Sequence, residues 1–340
     1  MYIYYLKMRK FCVFLLFLFC VFTAKSQPTA SSMNLFGNVR VLFTDKYVAK
    51  DIVVKDNVLV SYNKVKVLNR KDYIFDKNGL LLAENDFDDE GIIDISEIYT
   101  YDESGRLIEE TLAQSGKYQL GRDEYTYNKN GKRAQKKIYD KIDSLKHIIV
   151  YAYDSLGNLS SEKTFNKSNR IIKEIYYQYD DRGNLLFSNS LKSIVLSNKP
   201  YNEVQKFDDR NNRIYKSYTE NDTLRWEYFA NYNKVDSLIY EEVKDNKGQI
   251  ISFSKLHFKK NRRISLTQYH INREILTTET HYQYDKKGKL LSEKVYSENK
   301  KELRTVRTYF YDEKGNWIYC IEEHKKNNAT VVFSRRFNYF

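Results

Sequence analysis

The residues best placed to do chemistry form one acidic stretch, "DFDDEGIIDISE", Asp86 to Glu97. It carries acids at Asp86, Asp88, Glu90, Asp94 and Glu97, with glycine at the sixth position. That spacing satisfies a calcium loop of the EF-hand type if Glu is allowed at position five. Against calcium, no flanking helices are evident, and an ordinary turn is expected at this point of the chain. Both interpretations, a calcium clip and a plain turn of solvated acids, stay open.

Other catalytic signatures are absent from the sequence. No G-x-S-x-G, H-E-x-x-H or phosphate-binding G-x-x-x-x-G-K motif occurs. Paired acids such as Glu109 and Glu110 suggest glycoside hydrolysis, but neighbouring residues of a strand face opposite sides and cannot share a pocket. The histidines lie far apart, and only His257 and His281 occupy similar strand positions in adjacent units. We therefore predict that the protein is not an enzyme.

The cysteines and the N-terminus indicate export. Residues 1–26 have a basic start, an apolar run from Phe11 to Phe22 and a small-x-small cleavage site, which together predict a signal peptide. Alternatives are a permanent anchor or a lipoprotein signal at Cys20. Cleavage would remove Cys12 and Cys20 and leave Cys320 alone, so no disulfide within the mature chain is expected. We predict an inert, partly buried thiol and no transmembrane span after cleavage.

Charge restricts the partners. The leader carries four basic residues and no acid, so the formal charge falls from +12 to +8 on cleavage. Lys and Arg alternate with Asp and Glu along the chain, which is typical of a solvated surface rather than a nucleic-acid site. Location in the periplasm, on the outer-membrane surface or outside the cell is expected. Nucleic acid is not an expected partner.

A repeat decides the fold prediction. The chain holds 31 Tyr and 19 Phe but only 12 Gly and 2 Pro, a composition that favours strands. One aromatic position recurs at intervals of 25 to 28 residues, mostly 26. Its members are Phe75, Tyr101, Tyr127, Tyr153, Tyr179, Phe207, Tyr232, Phe258, Tyr284 and Tyr311. In seven units the aromatic is followed by Asp or Asn, two free positions and Gly, as in "YQYDDRGNLL".

Turn chemistry explains that spacing. Asp or Asn accepts a backbone N–H two residues on, and Gly three residues later enters the left-handed region without steric cost. Asn211 and Asp236 replace Gly in two units and tolerate positive φ, whereas "FKKNRR" at 258–263 must turn differently. Each unit is predicted to be a β-hairpin. We expect an all-β fold of tandem antiparallel hairpins that forms a long curled or spiral sheet, because flat sheets rarely exceed about ten strands.

The predicted organisation has three parts. Residues 1–26 form the signal peptide, 27–70 a strand-rich N-terminal cap, and 71–340 the hairpin array, which is degenerate around 205–265. The degenerate part contains Arg225, Trp226 and Tyr228. Irregularity in a repeat array often marks a binding site, so these three residues are the predicted ligand site. Tyrosine rows are interpreted either as the core of a thin sheet or as a platform that stacks on sugar rings.

The motif resembles the YD repeats of the Rhs-type repeat family of bacterial secreted and surface proteins. Tyr151-x-Tyr153-Asp154-x-x-Gly157-Asn158-Leu159 matches the signature throughout, and the resemblance covers about residues 73–320. It implies a hairpin strip that winds into a spiral or shell. We expect a non-catalytic scaffold of the cell envelope that binds a glycan or another surface protein, without a cofactor unless calcium binds. The alternative is a subunit or remnant of an Rhs-type toxin-delivery shell.

Overall fold

The computed structural model describes residues 29–55, 58–193, 200–272, 274–297 and 302–340, and it is one antiparallel sheet of 22 strands. The predicted signal peptide, with Cys12 and Cys20, lies outside these residues. No helix in the described part of the chain is long and apolar enough to cross a membrane. The strands are β1 Val39–Lys55, β2 Val58–Phe75, β3 Leu81–Phe87, β4 Ile93–Tyr101, β5 Leu107–Gln114, β6 Tyr118–Tyr127, β7 Arg133–Asp140, β8 Leu145–Tyr153, β9 Leu159–Asn166, β10 Ile171–Tyr179, β11 Leu185–Ser193, β12 Tyr201–Phe207, β13 Arg213–Glu220, β14 Thr223–Tyr232, β15 Leu238–Asp245, β16 Ile250–Lys259, β17 Arg262–Asn272, β18 Glu274–Tyr284, β19 Leu290–Ser297, β20 Glu302–Tyr311, β21 Trp317–His324 and β22 Ala329–Tyr339.

The sheet closes on itself. Every strand pairs with the strands before and after it in the chain, and β1 also pairs with β22 from Val39↔Tyr339 to Ala49↔Thr330. The predicted all-β array of hairpins is thus confirmed, and the curled sheet is a wide closed barrel. Closure satisfies the backbone groups that an open sheet would leave unpaired at its two edges.

The turns have the predicted chemistry. Asp180 Oδ1 accepts the backbone N–H groups of Arg182 at 3.0 Å and Asn184 at 2.8 Å, and Gly183 has a φ of 81°. Asn211 and Asp236 take the same place at φ 66° and 57°, as predicted for the units without glycine. Short polar side chains tolerate this left-handed region better than other non-glycine residues do.

The "FKKNRR" turn differs, as expected. Lys259 pairs with Arg262, so only Lys260 and Asn261 form the loop, with φ values of 50° and 59°. Two successive positive φ values define the two-residue hairpin turn whose twist matches that of the flanking strands.

Tyrosines at the strand ends tie neighbouring strands together. The Tyr127 hydroxyl donates to the backbone carbonyl of Leu107 at 2.7 Å. The same bond recurs in other units: Tyr101 to Leu81, Tyr153 to Arg133, Tyr232 to Arg213, Tyr284 to Arg263 and Tyr311 to Leu290. These tyrosines end the even-numbered strands, and we call the end of the barrel formed by the following turns the tyrosine rim. The repeated tyrosine therefore packs its ring and also satisfies a backbone acceptor.

The two faces of the sheet differ in crowding. We call the face that carries Tyr99, Tyr125 and Tyr177 the tyrosine face and the other the opposite face. Glu241 and Glu242 are consecutive in β15 and therefore point to different faces. Burial raises the pKa of Glu241, which lies on the tyrosine face. Burial acts on Glu242 too, but hydrogen bonds from Lys244 and Tyr240 outweigh it and lower its pKa. Tyr99 is 8% exposed whereas its neighbour Ile98, on the opposite face, is 40% exposed, so the tyrosine face is the more crowded one.

A hydrophobic core fills the tyrosine face near the seam. Leu42, Phe75 and Leu81 are fully buried there beneath Ala30 and Leu35 of the segment that precedes β1. This segment is held at the tyrosine rim, where the Ala30 N–H donates to the Gly79 carbonyl at 2.9 Å. The core is local, and many side chains of the remaining wall are only partly covered.

The β1–β2 hairpin is longer than the others and folds back over the opposite face. Tyr47 lies opposite Val67 in the ladder, yet its ring stacks on Tyr62 at 5.3 Å, because the hairpin is bent by several register shifts. Tyr62 also meets the ring of Tyr319 at 6.3 Å. The bend buries a second cluster that includes Phe310 and Val332. The predicted boundary at residue 70 falls within β2, and the division into cap and array stays a prediction.

Candidate functional site

The predicted ligand site is built around an aromatic stack on the tyrosine face. Trp226 in β14 lies opposite Tyr218 in β13, and their rings stack at 5.7 Å with an interplanar angle of 14°. Tyr201 in β12 adds a third ring, 5.6 Å from Tyr218. Lys216 Nζ lies 5.6 Å from the centre of the Trp226 ring. Trp226 is partly exposed, so this stack is the part of the predicted site that a ligand could contact.

The other two predicted ligand residues differ in environment. Arg225 is exposed and forms an ion pair with Glu220 at 2.8 Å. Tyr228 is buried and donates its hydroxyl to Glu241 Oε2 at 3.1 Å. Tyr228 lies on the tyrosine face, two residues from Trp226, but its hydroxyl is already hydrogen-bonded within the sheet. Among the three, Trp226 is the residue best placed to meet a ligand.

Tyrosine and glutamate alternate around the tyrosine face. Tyr125 donates to Glu110 Oε2 at 2.9 Å, and Tyr177 donates to Glu162 Oε1 at 3.0 Å. The same pairing joins Tyr309 to Glu293 at 3.2 Å. We call these pairs the tyrosine–glutamate belt. The pKa values of Tyr125 and Tyr177 are raised well above the ordinary tyrosine value. Burial is the larger cause, and the nearby carboxylate is the second. The belt carboxylates are thus occupied as acceptors within the wall.

The five acids of the predicted calcium loop are not brought together. Asp86 in β3 forms an ion pair with Lys71 at 3.1 Å, and Glu97 in β4 accepts the Tyr99 hydroxyl at 2.8 Å. Asp88 Oδ1 accepts two backbone N–H groups of its own turn, those of Glu90 at 3.0 Å and Ile92 at 2.8 Å. Asp94 is exposed at the start of β4. No group of three or more metal-ligating side chains forms anywhere in the part of the chain that is described.

The remaining candidate groups are also dispersed. Glu109 and Glu110 point to opposite faces, as the strand periodicity predicted. His257 and His281 share the opposite face, but Ser265 of β17 stands between them, so they are two strands apart. Neighbouring strands are about 4.8 Å apart, which puts these two histidines about 10 Å from each other. They do not form a pair.

Cys320 lies beside a charged network and is buried. Arg307 bridges Glu293 at 3.0 Å and Glu322 at 2.5 Å on neighbouring strands. Burial raises the pKa of the Cys320 thiol to about 12, although Arg307 opposes the shift. A thiol must ionise to act as a nucleophile, so this environment makes Cys320 unreactive at neutral pH.

Charged side chains stand in mid-strand on both faces. On the tyrosine face, Lys136 pairs with Asp123 at 2.5 Å and Lys216 with Glu203 at 2.9 Å. The opposite face carries its own ion pairs: Arg122 with Glu109 at 3.1 Å, Lys163 with Glu174 at 3.2 Å and Lys244 with Glu242 at 2.7 Å. Both faces of the described strands therefore carry ion-paired charges away from the strand ends.

Two features of the wall were missed at the sequence level. The belt glutamates Glu110, Glu162 and Glu293 each follow a turn glycine by five residues, and this period was visible in the sequence. The pairing of β1 with β22 had no such signal, because it joins strands almost a full chain apart.

Comparison with known proteins finds structural matches of low identity but no family. No family model and no curated protein matches the chain. The crystal structure of TcdB2-TccC3 without its hypervariable C-terminal region matches at 11% identity over 88% of this chain, with a TM-score of 0.28. The Tc holotoxin pore of Photorhabdus luminescens matches at 11% identity over 86% of this chain, also with a TM-score of 0.28. This chain spans 20% of each of those two chains.

A porin-like protein from Bacteroides uniformis is of similar length to this chain. It matches at 9% identity over 92% of this chain and 98% of its own, with a TM-score of 0.29.

Proposed function

We propose that this chain is an exported, non-catalytic scaffold of the cell envelope, a closed wall with water on both faces that binds a glycan or another surface protein. The observation that carries the proposal is the presence of ion pairs in mid-strand on both faces of a closed sheet. A closed sheet with polar side chains on both faces offers many positions for contact with a partner. Such a scaffold needs no catalytic centre.

The charges argue against a wall embedded in lipid. Placing Arg or Lys on the lipid side of a barrel costs about 2–4 kcal/mol at the bilayer midplane. Arg122 and Lys163 would each incur this cost if the opposite face met lipid, and Lys136 and Lys216 would do so if the tyrosine face did. Residues 27–340 should therefore remain in the supernatant after ultracentrifugation without detergent. Recovery only in detergent would overturn the proposal.

The state of the acids supports a non-catalytic role. Glycoside hydrolysis needs two carboxyl groups that flank one scissile bond and are free to exchange protons with the substrate or water. Glu110 and Glu162 of the belt accept tyrosine hydroxyls instead, and Glu293 also bridges Arg307. Side chains committed to such bonds hold the wall together rather than move protons.

The ligand site we propose is the Trp226 stack. Sugar rings bind aromatic faces through their apolar C–H sides, and among the described residues Tyr218 is the ring that stacks on Trp226. Lys216 Nζ lies 5.6 Å from the centre of this ring and Arg225 precedes it in β14, and the N–H groups that their ion pairs with Glu203 and Glu220 leave over would donate to sugar hydroxyls. Trp226 lies near the β13–β14 turn, at the end of the barrel opposite the tyrosine rim.

The test is a glycan array probed with residues 27–340 and two matched tryptophan variants. Trp226→Ala should lose binding. Trp317→Ala should keep it, because Arg335 lies 3.8 Å above the Trp317 ring and covers it. Far-UV circular dichroism checks that both variants keep the fold. Absence of any glycan bound by the wild type, or equal loss in both variants, would remove the Trp226 site.

The alternative, a unit of a toxin-delivery shell, has less support. A larger shell would be extended by strand addition at a free edge. Here the first and last strands pair with each other along β1 and β22, so the described ring leaves neither of them free along that seam. Purification of this chain in a stable complex with a toxin would favour the alternative.

A further inference from the structure

Two neighbouring turns of the tyrosine rim concentrate positive charge. The β16–β17 turn carries Lys259, Lys260 and Arg262, and the β18–β19 turn carries Lys286, Lys287 and Lys289. We call these six residues the basic arc. The two turns contain a single acid, Asp285. Because the hairpins follow one another around the ring, the two turns are adjacent at the same end of the barrel.

The cations of the basic arc are not neutralised. Elsewhere on this rim the turn arginines pair with their own turn aspartates, as Arg106 does with Asp102 at 2.7 Å and Arg210 with Asp208 at 3.6 Å. Asp285 Oδ1 likewise accepts the Lys289 backbone N–H at 2.8 Å, but its carboxylate forms no ion pair with a described residue. Lys259, Lys260, Arg262, Lys286 and Lys287 are exposed and form no ion pair with any described residue.

Apolar side chains stand at the rim on both sides of the arc. Val235 in the preceding even-strand turn is 58% exposed. On the other side, Phe36 is 56% exposed and packs beside Gly315, and Phe340 is 53% exposed. These three side chains lie at the same end of the barrel as the lysines. Lysines flanked by exposed apolar residues are typical of proteins that lie on anionic membranes.

We propose that the basic arc docks the barrel end-on against an anionic lipid surface. This inference rests on the proposed function, in which the wall itself stays in water and only the rim meets the headgroups. The lysines contact the acidic headgroups, and Val235, Phe36 and Phe340 enter the boundary between headgroups and acyl chains. A linear polyanion in solution would use the lysines but not the apolar tips, which is why the observations favour a lipid surface.

The experiment is co-sedimentation of residues 27–340 with vesicles that contain phosphatidylcholine with or without phosphatidylglycerol. Wild type should bind only the vesicles with phosphatidylglycerol, and raised salt should weaken binding because it screens the charges. The arc variant Lys259→Gln, Lys260→Gln, Lys286→Gln, Lys287→Gln should bind at least about tenfold more weakly, since each lysine near an anionic surface contributes to the affinity.

A matched variant tests whether binding depends on the basic arc or only on the total positive charge of the protein. Lys117→Gln, Lys141→Gln, Lys167→Gln, Lys326→Gln removes the same charge from exposed turns at the other end of the barrel and should bind as wild type does. Val235→Ser with Phe340→Ser should weaken binding while leaving the charge unchanged. Equal losses in the two lysine variants would overturn the proposal.

Two further outcomes would also overturn it. One is failure of the wild type to bind phosphatidylglycerol vesicles while it stays in solution, which leaves the proposed scaffold intact. The other is arc-dependent binding of dextran sulfate without binding of vesicles, which would assign the arc to a soluble polyanion. A chain that needs detergent to stay in solution would instead refute the proposed function.

Discussion

Tyr47 on β1 and Val332 on β22 lie opposite each other in the ladder, and both side chains are 0% exposed. They stand at the seam where the first strand meets the last, beneath the folded-back β1–β2 hairpin. The seam is therefore sealed by buried apolar contact as well as by backbone hydrogen bonds, which makes closure of the barrel directly testable.

A disulfide across the seam should form without strain. Lys46 and Phe333 are directly paired on β1 and β22, so cysteines at these positions should have the short separation that a disulfide needs. In residues 27–340 with Cys320→Ser, oxidation of Lys46→Cys with Phe333→Cys should give a cross-linked monomer on a non-reducing gel. Lys46→Cys with Ser254→Cys, which places the second thiol on β16, should not cross-link. Failure of the first pair would mean that the ring is open in solution.

The turn glycines should resist replacement by branched residues. Gly183 has a φ of 81°, where a β-branched side chain is strained, so Gly183→Val should lower the free energy of unfolding by more than about 1 kcal/mol. Gly183→Asn should retain most of the stability, because Asn211 occupies the equivalent position at φ 66°. Urea denaturation measures both variants. Equal midpoints for Val and Asn would contradict the assignment.

Alkaline pH should unfold the barrel through its tyrosines. Burial raises the pKa of Tyr73, Tyr101, Tyr151 and Tyr201 to about 12 in the folded chain, against 10.0 ordinarily. A group with a raised pKa stabilises the fold fully below its unfolded pKa, and that contribution is lost as pH rises from about 10 to about 12. The melting temperature should therefore fall over this interval.

Absorbance at 295 nm provides the independent check on the tyrosines. At pH 11 the native chain should show a smaller phenolate signal than the same chain in urea, where ordinary tyrosine pKa values apply. Superimposable titration curves with and without urea would show that the tyrosine face is open to solvent.

Calcium should leave the protein unchanged. Asp86 is paired with Lys71, Asp88 caps its own turn and Glu97 accepts Tyr99, so a cation would have to break three existing interactions. Calorimetric titration with millimolar calcium should show no heat, and the melting temperature should not shift. A shift that disappears in Glu97→Gln would instead identify a calcium clip near the N-terminal end of the array.

Much of the local architecture could be predicted because its causes are local. The position of Gly183 three residues after Asp180 specifies the turn, and the spacing of Tyr177 and Tyr179 specifies which side chains share a face. The opposite directions of Glu241 and Glu242 follow from strand periodicity alone.

The candidate site was only partly predictable. Trp226 was found through the irregularity of its unit, whereas its stacking on Tyr218 depends on the register between β13 and β14.

The sequence by itself determined the hairpin unit, its period of about 26 residues, the chemistry of its turns and the alternation of its faces, since each depends on residues within one repeat. The tertiary structure alone decided that β1 meets β22, that the β1–β2 hairpin folds over Val332, and that the lysines of two turns form one arc. Closure depends on the twist and curvature accumulated over 22 strands, and small local rotations add up to a geometry that no single repeat contains.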